Sequence, residues 1–124
     1  MLARRLSHVS FAVREVERSL RFYRDLLGLQ PVPRPDFGFP GAWLAAGDLQ
    51  VHLIEVPAGT DVGSPSPVLT PIANHTAFVV ADHAATVERL RQHGLEVIDG
   101  GAMGQSWVQD PDGNVIEFIA ESSR

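Results

Sequence analysis

Two runs alternate as a β-strand does, His8-Val9-Ser10-Phe11-Ala12-Val13 and His75-Thr76-Ala77-Phe78-Val79-Val80, and they share the form His-x-x-Phe-x-Val. A period of two predicts a half-buried β-strand. A helical period follows each run. After the first, Val16, Leu20, Tyr23 and Leu27 fall on one helix face, and Gly28 stands where a left-handed C-terminal cap is wanted. After the second, Asp82 is suited to cap a helix whose apolar stripe is Ala84, Val87 and Leu90, and Gly94 closes it. The two stretches continue in step. Short strands are expected near Leu29 to Val32 and Leu95 to Ile98, then Trp-led strands at Trp43-Leu44-Ala45 and Trp107-Val108-Gln109. Last come Leu49-Gln50-Val51-His52-Leu53-Ile54 and Asn114-Val115-Ile116-Glu117-Phe118-Ile119, entered through the turns Gly47-Asp48 and Asp110-Pro111-Asp112-Gly113.

Each half therefore reads β-α-β-β-β, an internal repeat that decides the fold assignment. The expected architecture is α+β, two βαβββ modules in tandem: module 1 over about 5–56, a linker over 57–72 rich in Pro, Gly and Ser, and module 2 over 73–120. Together they make one domain, which suits a chain of 124 residues. The segment Pro31 to Pro40 carries Phe37 and Phe39, and reads as a turn whose aromatic side chains pack rather than as an open loop over a pocket.

The repeat brings candidate chemistry into register. His8 falls on His75, and His52 falls on Glu117. By strand parity His8 shares a face with Ser10 and Ala12, while the larger apolar set Val9, Phe11 and Val13 lies opposite, towards the helices. A lone histidine at the start of a strand is commonly structural; four such residues at equivalent points of two repeats are not, and a carboxylate inside Val-Ile-Glu-Phe-Ile needs a partner. Three imidazoles and one carboxylate suit a first-row divalent ion, Zn, Ni, Co, Mn or Fe. His83 and His93 lack counterparts in the first half and are expected to face solvent.

Composition narrows the field. There is no cysteine, so no disulfide, thiol nucleophile or thiolate metal site is available. A formal net charge of −5 is the wrong sign for phosphate neutralisation, which argues against nucleic acid. No apolar run approaches the ~20 residues of a membrane span, and Met1 to Leu6 lacks the apolar core of a signal peptide. A cytoplasmic protein is expected, with no nucleic-acid or membrane partner.

The paired modules, the His-x-x-Phe-x-Val strands, the helix Arg18-Ser19-Leu20-Arg21-Phe22-Tyr23-Arg24-Asp25-Leu26-Leu27-Gly28-Leu29, and Asp110-Pro111-Asp112-Gly113-Asn114-Val115-Ile116-Glu117 resemble the vicinal oxygen chelate superfamily. This is the glyoxalase, bleomycin resistance protein and dioxygenase family, and the likeness is greatest to glyoxalase I-like proteins. The resemblance implies curved mixed sheets forming a barrel-like cavity, a homodimer, and metal ligands at His8, His75 and Glu117, with the more variable fourth ligand position at His52. Glyoxalase I has Glu or Gln at that fourth position, so His52 is a ligand, a base or pocket lining; His52 and Glu117 are the candidate catalytic residues. The implied chemistry is a lyase or isomerase reaction, in which the metal holds two adjacent oxygens of a small oxygen-rich substrate and stabilises enolate-like charge.

The family's other activities are judged residue by residue. The arginine and asparagine of the glutathione-dependent pattern are replaced by Ala12 and Val56. The basic segment of fosfomycin resistance proteins is missing, since Pro57 to Asn74 contains no Lys or Arg. An extradiol ring-cleaving dioxygenase could use His8, His75 and Glu117, but a fourth ligand at His52 would take a place that catechol and oxygen need. A drug-sequestering protein without turnover is the remaining alternative, and it would not require the ligands this chain keeps.

Overall fold

Both alternating runs are strands in a computed structural model of the chain, which describes residues 1–123. Two compact units are present, Met1–Gly63 and the residues from Ser64 onward. The first holds β1 (His8–Val13), α1 (Val16–Leu20), β2 (Gln30–Val32), β3 (Gly41–Ala46) and β4 (Leu49–Glu55). The second holds β5 (His75–Val80), α2 (His83–Gln92), β6 (Ile98–Asp99), β7 (Gln105–Gln109) and β8 (Val115–Ala120).

The sheets repeat one another. Their strand orders are β1-β4-β3-β2 and β5-β8-β7-β6. In each, the first strand runs parallel to the last, and the last three are antiparallel neighbours. A parallel pair cannot be joined by a hairpin, so the helix and the two intervening strands form the connection from the first strand to the fourth. The expected fold class, two mixed sheets built as βαβββ modules, is the one observed.

Parity assigns the faces as expected. On β1 the odd-numbered set is the better covered, ending in fully buried Val13, while His8, Ser10 and Ala12 are exposed. Leu44, Val51 and Leu53 continue the first core, and α1 packs on β4. In the second unit Val108, Val115, Ile116 and Phe118 are buried with Val87 and Leu90 of α2, which packs on β7 and β8.

The helices end as their sequences indicate. Gly28 and Gly94 have φ of +81° and +77°, the left-handed region that glycine enters without steric cost. Around them Leu29 N–H reaches the Tyr23 carbonyl and Leu95 N–H the Leu90 carbonyl, closing each helix. Asp82 caps α2 by accepting from Ala85 N–H at 3.0 Å. The first helix is capped differently: Glu55, at the end of β4, accepts from Val16 N–H at 3.1 Å.

Four expectations are corrected. The helix from Val16 to Leu27 is not regular, because beyond Leu20 it widens into a π-helical turn over Arg21–Leu26, marked by Leu27 N–H bonding Phe22 C=O. The wider turn lets two adjacent aromatic residues, Phe22 and Tyr23, both reach the core, where Tyr23 stacks on Phe11 and meets Phe22 edge-on. The strand expected at Leu95 to Ile98 is displaced to Ile98–Asp99, since Leu95 N–H is spent closing α2. His83 is not solvent-facing: its Nε2 is buried without a hydrogen-bond partner, 3.9 Å from Asp99 Oδ1. Phe37 and Phe39 are not buried either, and remain 50% and 40% exposed.

Candidate functional site

In the second unit β8 lies between β5 and β7, and Glu117 faces Ala77 on one side and Trp107 on the other. His75 is two residues before Ala77, hence on the same face of β5, and reaches Glu117 diagonally. Its Nε2 is 2.9 Å from Glu117 Oε1. The Trp107 indole N–H donates to the same oxygen at 3.0 Å, and the Gln105 amide donates to Oε2 at 3.2 Å. Glu117 is only 6% exposed, and a carboxylate so enclosed is tolerated because both of its oxygens are hydrogen-bonded.

The first unit repeats this register with different chemistry. His52 on β4 faces Ser10 of β1 and Trp43 of β3. Its ring is stacked between the His8 imidazole, at 4.1 Å, and the Trp43 indole, at 4.3 Å and nearly parallel. His52 Nε2 lies 2.8 Å from Gln50 Oε1, an oxygen that can only accept, so Nε2 carries the proton and Nδ1 keeps its lone pair. Burial pushes the His52 pKa below the usual histidine value, and the nearby His8 and Arg34 push it further in the same direction.

The repeat thus pairs His8 with His52 and His75 with Glu117, each pair beside a tryptophan. Among the described residues, neither unit by itself gathers three or more His, Asp or Glu side chains as a metal cluster.

The donor groups fit a divalent ion in two respects. His75 Nδ1–H donates to the Ala73 carbonyl at 2.7 Å, and His8 Nδ1 lies 3.1 Å from Ser7 Oγ. Tying Nδ1 to a neighbour orients an imidazole with Nε2 forward, the usual outer support of a metal-binding histidine. Glu117 has comparable support from Trp107 and Gln105. His52 departs from the pattern, because its Nε2 is already engaged by Gln50.

Sequence reasoning treated Trp43 and Trp107 as strand markers only, and it missed Gln50 and Gln105. The available signal was positional: the tryptophans occupy equivalent points of the repeat, directly across from His52 and Glu117. The turn Asp110–Gly113 is held by its own side chains. Buried Asp110 holds it together, accepting from Asp112 N–H, Asn114 N–H and the Asn114 amide. Among the described residues, no helix is long and apolar enough to cross a membrane.

Comparison with known proteins places this arrangement. A sequence model of the Glyoxalase/Bleomycin resistance protein/Dioxygenase superfamily matches residues 5–118. Glyoxylase I 4 of Arabidopsis thaliana is 31% identical over 120 residues, covering 91% of this chain and 68% of its own. The lactoylglutathione lyase of Haemophilus influenzae is 30% identical over 125 residues, covering 94% of this chain and 92% of its own. Among solved structures, the fosfomycin resistance protein FosX of Mesorhizobium loti superposes with a TM-score of 0.72 at 21% identity, covering 95% of this chain and 92% of its own. At that identity the likeness is one of fold.

Proposed function

This chain belongs to the Glyoxalase/Bleomycin resistance protein/Dioxygenase superfamily, and from that premise we propose that it is a metal-dependent, glyoxalase-like lyase or isomerase. Its substrate is a small oxygen-rich molecule. His8, His75 and Glu117 are the proposed ligands, with His52 as fourth ligand or base. The observation that carries the reading is Glu117, a buried carboxylate on a central strand, paired with a histidine whose far nitrogen is tied to backbone.

A divalent ion in such a site supplies Lewis-acid stabilisation of negative charge on adjacent substrate oxygens. The remaining tasks fall to the chain. Glu117 offsets part of the ion's charge and is held in place by Trp107 and Gln105. His52 donates Nε2–H to Gln50, leaving Nδ1 as the atom that can take a proton; a lowered pKa keeps that atom unprotonated at neutral pH. The same lone pair serves either proposed role, base or fourth ligand.

The name of the Haemophilus influenzae relative supports lyase chemistry. Ala12 and Val56 supply neither charge nor hydrogen bond at the two places where the glutathione-dependent pattern has Arg and Asn, so the proposed substrate is not a glutathione adduct. Metal analysis of the purified protein, His8→Ala and Glu117→Ala tests the site. Near-stoichiometric divalent metal in the parent and its loss in both variants is expected; equal, substoichiometric metal in all three would overturn the reading. Oxygen uptake with catechol would replace it by ring cleavage.

A further inference from the structure

The loop joining β2 to β3 carries three side chains that the fold does not use for its core. Arg34 Cζ lies 5.0 Å from the ring centre of Phe37 and 5.0 Å from that of Phe39. The two rings stack on each other at 5.9 Å, and Phe37 is 6.1 Å from Trp43. Trp43 in turn lies flat on His52, and His52 on His8. One continuous series of planar groups therefore runs from a candidate metal ligand to an exposed loop.

Two features of this series point to a ligand. The first is the geometry that sets it out. Asp36 Oδ1 accepts from Gly38 N–H at 2.9 Å, and Gly38 has φ of +81°, so a tight turn presents Phe37 and Phe39 on either side. Both rings nonetheless stay 40% or more exposed, a local concentration of aromatic surface that folding leaves uncovered. The second is charge. Among the described residues Arg34 forms no ion pair with a carboxylate and no hydrogen bond, and its guanidinium rests on the two phenyl rings. Its guanidinium also lies against Gly41: a Cβ there would come within 2.7 Å of Nη2 and 2.8 Å of Cζ. The cation is thus seated between a bare strand position and two rings, with its hydrogen-bond donors unspent.

We propose that Arg34, Phe37 and Phe39 form the specificity element of the site described above, taking a substrate with a carboxylate and a planar, preferably aromatic body. The inference deepens the glyoxalase-like reading and rests on it for the reaction. The guanidinium receives the carboxylate through paired N–H donors, an arrangement a lysine would not reproduce. The Phe37, Phe39 and Trp43 rings receive the planar body, and directional stacking separates an aromatic ring from a saturated one.

Calorimetric titration of the full chain tests this with benzoate, neutral benzamide, cyclohexanecarboxylate and inorganic phosphate as probes, with chelator and with divalent metal. Benzoate is expected to bind at least tenfold more tightly than benzamide and more tightly than cyclohexanecarboxylate or phosphate. Arg34→Gln should reduce benzoate binding at least tenfold without changing benzamide binding, Arg34→Lys should restore only part of the loss, and Phe37→Ala with Phe39→Ala should weaken both aromatic probes. Equal binding of benzoate and benzamide, unchanged benzoate binding by Arg34→Gln, or phosphate binding as tight as benzoate would overturn the proposal. The arm with chelator separates the two ideas: Arg34-dependent benzoate binding there, beside a failed metal analysis, sinks the metal reading alone.

Discussion

His75 Nε2 and Glu117 Oε1 lie 2.9 Å apart across the parallel β5–β8 pair, with the Trp107 indole donating to the same carboxylate oxygen. The carboxylate is therefore at once a folding element, satisfying an indole N–H, and a candidate ligand. Glu117→Gln separates the two roles, since the amide keeps a carbonyl acceptor but loses the charge. Metal-free stability is expected to fall by about 1–3 kcal/mol in urea unfolding, because neutral hydrogen bonds replace charge-assisted ones. Bound metal should fall less in Glu117→Gln than in Glu117→Ala, because the amide oxygen can still ligate although the charge is lost. Unchanged metal in Glu117→Ala would remove Glu117 from the ligand set.

His52 makes stability depend on pH. Burial, with His8 and Arg34 nearby, holds its folded-state pKa below the unfolded value of about 6.5. As pH falls the unfolded chain binds this proton first, so the contribution is complete above about 6.5 and declines below it until the folded ring also titrates. Urea midpoints of the metal-free protein between pH 7.5 and 5 should fall more steeply than those of His52→Gln. Parallel profiles would contradict the assignment.

Gly41 is confined by backbone as well as by Arg34. A Cβ there would lie 2.6 Å from the Leu53 carbonyl oxygen, which belongs to the neighbouring strand and cannot swing aside. Gly41→Ala should destabilise the protein by about 1–3 kcal/mol, the usual cost of overpacking, read as a lowered urea midpoint. It should also weaken benzoate binding by displacing the guanidinium.

Asp110 closes the turn that delivers β8, and with it Glu117, into the sheet. Its carboxylate accepts from two backbone N–H groups and one side-chain amide at 2.8–3.0 Å. Asp110→Ala leaves these donors without their acceptor in a buried turn, and should cost about 2–4 kcal/mol. Asp110→Asn, which keeps one acceptor oxygen, should lose less. Chemical denaturation of both variants measures the difference.

How far the chain could be read residue by residue follows the range of the interactions. Asp82 was legible as a helix cap because it meets Ala85 N–H three residues on, and Gly28 and Gly94 because their left-handed φ is a local demand. Glu55 was not legible as the cap of α1, since its partner, Val16 N–H, is 39 residues away. The π-helical turn escaped for a similar reason: the apolar spacing fits a regular helix, and only the shape of the core shows that Phe22 and Tyr23 both have to enter it. The half-exposed Phe37 and Phe39 ran against their hydrophobicity, because what holds them is mutual stacking and a cation rather than burial.

By itself, then, the sequence determined the repeat. Strand alternation, helical spacing, caps and turns are short-range demands, and they placed His8 on His75 and His52 on Glu117 without reference to any partner strand. Only the tertiary structure decided what those residues touch. Register across a sheet is a long-range choice, and it set Trp43 against His52 and Trp107 against Glu117, gave Gln50 the His52 Nε2 proton, and left Arg34 over two exposed rings. A pattern of period two says which face a side chain takes; which neighbour it meets there depends on how the strands are paired.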